Sequence, residues 1–360
     1  MEPATHVEAR IDSLTILSGS PGGPIAALAP VIEVDGLSIA FETGDGAVAA
    51  LKDVTFDILP GETVALVGES GSGKSITSLS LLGLLPPSGR ITGGKILFRG
   101  WGGEAIDLAR APERVLRQVR GAGISMIFQE PLNSLNPAFT VGGQVAEAVR
   151  LHQSAPAPQA NARARDLLAR VGITDPDRRM RAWPHELSGG MRQRVMIAMA
   201  IASRPALLIA DEPTTALDVT TQAQVVALLR ELQGEIGMGM LFITHNLALA
   251  SLIADRVVVM YAGQVVETGP AAEVLGDPRH PYTRALLDCL PARHLPLMEG
   301  VGRRLSAISG APPRLEARPT GCAFAARCDH AADPCRLPAD LRHVLGNPAR
   351  AVRCVRQEAA

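Results

Sequence analysis

The sequence predicts an α/β fold built on a largely parallel sheet, and three observations carry that expectation. Apolar runs of strand length recur between stretches of helical character, the pattern of strands alternating with helices. One run, Glu62-Thr63-Val64-Ala65-Leu66-Val67, leads into the glycine-rich stretch Gly68-Glu69-Ser70-Gly71-Ser72-Gly73-Lys74-Ser75. Two further runs, Ala206–Ala210 and Met240–Thr244, end directly before Asp211 and His245, so polar residues gather at strand ends.

In chain order, residues 1–30 are rich in Pro, Gly, Ala and Ser without periodicity and read as a mobile extension. Val31–Val34 and Val54–Ile58 alternate as half-buried strands do. Ile124–Phe128 is an apolar strand ending at Gln129. Between about residues 133 and 185 a helical insert is expected, with helices near Val141–Leu151 and Ala160–Val171 split by the proline-containing stretch Ser154–Pro158. Ser188 is placed to cap a helix over Gly189–Ser203, which feeds the buried strand Ala206–Ala210; Arg256–Tyr261 follows as one more strand. Beyond Gly269 the prolines 278, 281, 291, 296, 312, 313 and 319 predict a linker into a small terminal module.

Bulk properties narrow the functional class. The chain has 360 residues, 47% of them hydrophobic, enough for one large domain with an appendage. With 35 basic and 36 acidic residues the formal charge is −1, so no global field favours nucleic acid or an anionic membrane. The longest apolar stretch, Val195–Ala202, falls far short of the roughly 20 residues that cross a bilayer, and no secretory leader is expected at the N-terminus.

The stretch Gly68–Ser75 reads G-x-x-x-x-G-K-[ST], the pattern of a loop whose backbone N–H groups wrap phosphates. In it Gly71 and Gly73 permit close backbone approach, Lys74 would neutralise β and γ phosphates, and Ser75 would ligate Mg²⁺. ATP is the expected ligand. Asp211 ends an apolar strand, where a carboxylate is costly unless it serves a cation, so it is expected in the Mg²⁺ shell. Glu212 follows as the general base or water-orienting group. Gln129 could reach both metal and water, and His245 could hydrogen-bond a γ-phosphate. Leu187-Ser188-Gly189-Gly190 sets a hydroxyl and bare amides at a helix N-terminus: either a simple capped helix or a second anion-binding device, which would serve a nucleotide held by another subunit.

Taken together, residues 31–270 resemble the ATP-binding subunits of ABC transporters, with the Walker A loop, Q-loop, signature, Walker B, D-loop (Leu217-Asp218) and H-loop in order. Within them, Glu130-Pro131-Leu132-Asn133-Ser134-Leu135-Asn136-Pro137, the signature Leu187–Arg194 with Met191, and His280-Pro281-Tyr282-Thr283-Arg284-Ala285-Leu286-Leu287 look like the oligopeptide/dipeptide importer branch. The resemblance implies a P-loop NTPase core with an antiparallel β subdomain and a helical insert, followed over 271–360 by a small Cys-rich C-terminal module. It implies that Phe41 stacks on adenine, in place of the more usual Tyr, and that Gly68, Ser70, Ser72 and Ile76 complete the ATP site. Ser188, Gly189, Gly190 and Asp218 would act across a dimer interface. It further implies two transmembrane permease subunits docked on the insert, a second ATPase (a related chain or a copy), an extracytoplasmic substrate-binding protein acting indirectly, and a peripheral place on the cytoplasmic face of the membrane. Peptides are the implied cargo, with nickel chelates or other small solutes as alternatives. A soluble ABC ATPase working on DNA or ribosomes is the competing class, disfavoured by the near-neutral charge and the lack of a coiled-coil insertion or tandem cassette. A small-molecule kinase leaves the signature helix unexplained.

Four of the five cysteines lie in the last 39 residues. Cys322, Cys328, Cys335 and Cys354 leave gaps of five, six and eighteen residues, unlike the short pairs of most zinc sites. The peptide branch carries a similar module that binds a [4Fe–4S] cluster, and the resemblance implies one here; Zn²⁺ and unligated thiols are the alternatives. Cys289, outside the module, is expected as a buried apolar residue.

Overall fold

The computed structural model describes residues 29–44, 46–129, 134–215, 217–290 and 308–356. The extension expected over residues 1–30 lies outside them except for its last two residues, as do Glu130–Asn133 of the peptide-branch motif and the linker residues Pro291 and Pro296.

The chain opens with the long strands β1 (Ile32–Thr43) and β2 (Gly46–Ile58), then the short, wholly buried β3 (Thr63–Val67) and helix α1 (Lys74–Leu81). Next come β4 (Gly89–Phe98), β5 (Ile106–Asp107), α2 (Glu113–Val119) and β6 (Ile124–Ile127). The insert follows as α3 (Val141–Gln153), α4 (Ala157–Arg170) and α5 (Pro176–Arg179). Then α6 (Gly189–Ile201), β7 (Leu207–Asp211), α7 (Val219–Ile236), β8 (Gly239–Thr244), α8 (Leu247–Ile253), β9 (Arg256–Tyr261) and β10 (Gln264–Pro270) build the rest of the core. The C-terminal region supplies α9 (Ala271–Gly276), α10 (Pro281–Asp288), β11 (Arg342–Val344) and β12 (Asn347–Val352).

Two sheets result. β2-β1-β4-β5 is antiparallel throughout, and an eight-stranded sheet runs β11-β12-β10-β9-β3-β8-β7-β6. In the larger sheet β9, β3, β8, β7 and β6 are parallel, while β10, β12 and β11 add antiparallel strands at one edge. The parallel strands β3, β7 and β8 are buried at every residue, so both faces are covered and their sequences read as continuous apolar runs rather than alternating ones. Helix α6 buries Gln193, Val195–Ala198, Ala200 and Ile201, and its apolar residues pack the insert and β7 into one core with α3, α4 and α7.

Several local expectations are corrected. The insert's two helices are split as expected, by residues 154–156, but the second starts earlier than Ala160: α4 begins at Ala157 with proline in its first turn, where the missing N–H costs nothing. Pro281 likewise opens α10 rather than belonging to a helix-free linker. Cys289 is partly exposed, at the C-cap of α10, and not buried. The terminal residues also return to the main sheet, where β12 pairs with β10 through Glu267↔Val352 and Thr268↔Ala351.

A buried charge cluster fixes that return. Glu267, 0% exposed, accepts from the backbone N–H groups of Arg279 and His280 (both 2.9 Å) and from Arg350 Nη2 at 2.7 Å. Arg350 also donates to the Asp277 carbonyl. Beside it His280 is buried and accepts the Tyr282 N–H at Nδ1 (3.0 Å), capping α10. Burial lowers the His280 pKa from 6.5 to about 3. A base whose folded value is depressed is protonated first in the unfolded chain, so this stability is full above pH 6.5 and is lost as pH falls toward about 3. Substituting His280→Asn keeps an acceptor for the cap but removes the titration. We expect the urea midpoint of the variant to fall less between pH 7 and pH 5 than that of the wild type; parallel pH slopes would refute the assignment.

Candidate active site

The parallel order β3-β8-β7-β6 brings four strand ends side by side, and the sequence places a polar element at each: the glycine-rich loop after β3, His245 after β8, Asp211 closing β7 and Gln129 after β6. Ligands of open α/β sheets bind along this edge.

The loop is shaped by close backbone approach. Gly68 (φ +154°) passes so near β9 that an added Cβ would lie 2.2 Å from the Met260 carbonyl oxygen. Gly71 (φ +77°) faces open space, where nothing lies within 4 Å of such a Cβ. Lys74 is buried and folds back on the loop, donating to the carbonyls of Gly68 (2.8 Å) and Glu69 (3.0 Å). Burial holds its pKa below the usual lysine value, against the opposing pull of Glu212 and Asp211.

Asp211 is 4% exposed. Its Oδ2 accepts from Ser78 Oγ at 3.4 Å and the Ser75 hydroxyl is also within its reach, while Oδ1 is buried with no protein partner. Burial first, and then the neighbouring Glu212 charge, push its carboxyl above the ordinary range. Ser72 Oγ is buried and likewise unpaired. A buried carboxylate oxygen without a donor beside two hydroxyls and an ammonium is a donor set that fits a hard divalent cation and phosphate oxygens.

Glu212 sits at φ +46°, a left-handed conformation uncommon for a residue with a Cβ, and its N–H donates to the Ile243 carbonyl of β8 (3.0 Å). The conformation turns its side chain toward three partners. Oε2 accepts from Gln129 Nε2 (2.9 Å) and Thr215 Oγ1 (2.9 Å), and Oε1 lies 3.1 Å from His245 Nδ1. Burial alone would raise its pKa, but the contacts with His245 and Thr215 outweigh it and hold the carboxylate ionised. The sequence reading missed Thr215 and Ser78; a hydroxyl three residues beyond Glu212 was the available signal.

The remaining site residues stand elsewhere. Ile76 lies in α1 and packs, partly buried, on the core beneath the loop. Phe41 lies on β1 in the four-stranded sheet, partly exposed, with its ring against Gly89. Ser188 caps α6 by accepting the Met191 N–H (3.3 Å), and Asp218 caps α7 by accepting the Thr221 N–H (2.9 Å). Gly190 links these two helix ends, since an added Cβ would meet Thr221 Cγ2 at 3.1 Å. Among the described residues no hydrogen bond joins Ser188 or Asp218 to Lys74, Asp211, Glu212 or His245.

Cys322, Cys328 and Cys354 are partly exposed and Cys335 is buried; none is in a disulfide. The Cys322 and Cys335 segments are joined by the Cys322 N–H donating to the Cys335 carbonyl (2.8 Å). Burial raises the Cys322 thiol pKa, and the other three thiols add to that rise, so the four lie within electrostatic range of one another. Burial also raises Cys328, with Cys335 and Cys354 adding to the rise, and Cys354, with Cys335 and Glu267 adding to it. Among the described residues no group of three or more His, Cys, Asp or Glu side chains is disposed to hold a metal ion, and no helix is long and apolar enough to cross a membrane.

A phosphate-wrapping loop beside an ionised carboxylate, at the ends of parallel strands, defines a nucleoside-triphosphate hydrolase of the P-loop class. Comparison with known proteins carries this further. Residues 51–215 match the ABC transporter family and residues 266–335 the C-terminal region of oligopeptide/dipeptide transporters. A Brucella melitensis protein named for peptide import as its ATP-binding protein is 52% identical over 308 residues, 85% of this chain and 91% of that one. A similarly named Brucella abortus protein is 48% identical over 326 residues, covering 91% and 95%. A dimeric ATP-binding cassette solved in a post-hydrolysis state with ADP and Pi superposes with a TM-score of 0.59 at 27% identity, over 67% of this chain and 98% of that one. The cbiO1 component of a Clostridium perfringens ABC transporter complex gives 0.59 at 30% identity, over 75% and 99%. The chain belongs to the ATP-binding subunits of ABC transporters, in the oligopeptide/dipeptide group, and it is an ATPase.

Proposed function

We propose that this chain energises peptide uptake by hydrolysing Mg²⁺–ATP at a site completed by a second ATPase subunit. The observation that carries the chemistry is Glu212, held ionised between Gln129, Thr215 and His245 beside the unpaired Asp211 oxygen. Lys74 exchanges its loop carbonyls for the β and γ phosphates, with Gly68, Ser70, Gly71, Ser72 and Gly73 lining the cradle and Ile76 supporting it. Ser75, Asp211 and Gln129 would hold Mg²⁺, which when bound would supply charge neutralisation on the phosphates. Glu212 orients or deprotonates the attacking water, and His245 hydrogen-bonds the γ-phosphate. Phe41 stacks on adenine.

Ser188, Gly189, Gly190 and Asp218 serve the partner's nucleotide. The support is that the capped start of α6 lies beside the capped start of α7, with Gly189 facing open space, and that neither cap is hydrogen-bonded to this chain's own phosphate site. Introducing Gly189→Asp puts a carboxylate against a bound γ-phosphate; ATP hydrolysis is expected to fall more than about tenfold with ATP binding to the single chain retained. Unchanged hydrolysis would place the composite site elsewhere.

Closure of the dimer moves two transmembrane permease subunits seated on the helical insert, whose Phe139, Leu151 and Trp183 are exposed. That seating makes the chain peripheral to the membrane, at its cytoplasmic face, with an extracytoplasmic binding protein delivering cargo. For peptides, the support is the C-terminal match and the names of the Brucella relatives. Cells whose only copy carries Lys74→Ala are expected to lose uptake of a labelled tripeptide; undiminished uptake would remove the peptide reading.

Cys322, Cys328, Cys335 and Cys354 are the residues that would hold a [4Fe–4S] cluster; their side chains are not disposed around a metal site in the structure as it stands, and the support is the match of residues 266–335 to the oligopeptide/dipeptide transporter C-terminal region. Burial and neighbouring thiols raise the pKa of Cys322, Cys328 and Cys354, so these thiols resist ionising together unless an iron centre balances their charge. Anaerobically purified chain should carry iron and absorb in the blue; iron-free, colourless protein that retains ATPase activity would remove the cluster.

A further inference from the structure

Glu69, the second residue of the phosphate loop, is held at every polar group. Its N–H donates to Tyr282 Oη (2.8 Å), and its carbonyl accepts from Lys74 Nζ (3.0 Å) and from the Ser72 N–H (3.2 Å). Its carboxylate takes a two-armed bond from Arg327, with Nη1 at 2.7 Å from Oε2 and Nη2 at 3.0 Å from Oε1. The loop backbone is therefore set from outside the nucleotide site, by a residue 258 positions away in sequence.

Arg327 is itself fixed. Its side chain is 5% exposed, it donates to Tyr261 Oη (3.2 Å) and to the Ser309 carbonyl (2.9 Å), and its guanidinium lies over the rings of Tyr261 and Phe324 (5.8 and 5.9 Å). It ends the short helical turn Ala325–Arg327, between Cys322 and Cys328. A planar guanidinium pinned on aromatic faces and bonded through both arms leaves a carboxylate little freedom.

We infer that Arg327 is a positioning residue for ATP binding: through Glu69 it holds the phosphate loop in its receptive shape, and so ties nucleotide affinity to the order of the Cys322–Cys328 segment. Lys74 and Glu69 share a contact, so displacing Glu69 moves both the loop amides and the ammonium that meet the phosphates. Binding linkage is reciprocal, so nucleotide that tightens the loop also tightens the cysteine segment. Arg327 reaches Lys74 through Glu69 without any of the four thiols, so the coupling is independent of whether they bind a cluster.

The test is a double-mutant cycle on the full-length chain with two readouts. Arg327→Gln and Glu69→Gln are each expected to raise KM for ATP about tenfold with kcat within about twofold of wild type, and the double variant to be no worse than either. Hydrogen exchange of amides 322–328 is expected to slow on adding ATP in the wild type and not in Arg327→Gln. Wild-type KM in both single variants, multiplied effects in the double, or ATP-dependent protection that persists in Arg327→Gln would each overturn the inference. Should Arg327→Gln fail to fold, Arg327→Lys keeps the charge but loses the two-armed bond. It is expected to give a KM between wild type and about tenfold higher, and a wild-type KM with wild-type protection would again overturn it.

Discussion

Replacing Glu212 by Gln is expected to slow ATP turnover by about 10²- to 10⁴-fold while leaving ATP bound. The carboxylate is held by Gln129, Thr215 and His245, and none of these contacts reaches the phosphate loop. An amide of the same shape keeps the acceptor oxygen but cannot take a proton from water, so the loss falls on kcat. Binding through Lys74, Ser75 and the loop amides survives, and nucleotide-bound dimer should accumulate in size-exclusion runs with ATP. A substantial part of wild-type turnover in the variant would move the base to another group. The effect of His245→Ala should be smaller and partly additive, because it removes one partner of Glu212 and leaves Thr215 and Gln129 in place.

The second large effect is on stability. Glu267→Leu should destabilise the chain by about 3–5 kcal/mol, because it removes the buried carboxylate partner of Arg350, whose side chain is 5% exposed and keeps only Asp277, and removes the acceptor for two backbone amides. The loss should be local in origin: β12 and β11 are expected to leave the sheet edge first, seen as early proteolysis near residues 340–352 at denaturant concentrations where the core persists. Glu267→Gln keeps an acceptor without the charge and should cost less. Equal urea midpoints for wild type and Glu267→Leu would show that the C-terminal strands are not held by this cluster.

The core was legible because it obeys local rules. Fully covered parallel strands announce themselves as apolar runs, and the chemistry sits at their ends, so β3, β7 and β8 led directly to Lys74, Asp211 and His245. The capped start of α6 could likewise be read from Ser188 and the glycines after it. What escaped was non-local. β4 and β10 have interrupted burial patterns, with glycine inside each, and β12 is ordered by a carboxylate 83 residues earlier. Arg327 carries no sequence signal at all, since its partner stands in a motif whose pattern leaves that position open. Prolines misled where they open helices, at α4 and α10, because the same ring that breaks a helix interior suits a first turn.

We propose that ATP-driven closure of this chain works on a peptide permease. This is tested most directly by capturing tagged Glu212→Gln chain from gently solubilised membranes with ATP and identifying stoichiometric companions by mass spectrometry. Two multi-span proteins together with an ATPase partner, a related chain or a second copy, are the expected companions. Recovery of ribosomes or DNA with no membrane protein would contradict it, leaving the ATPase chemistry but removing transport.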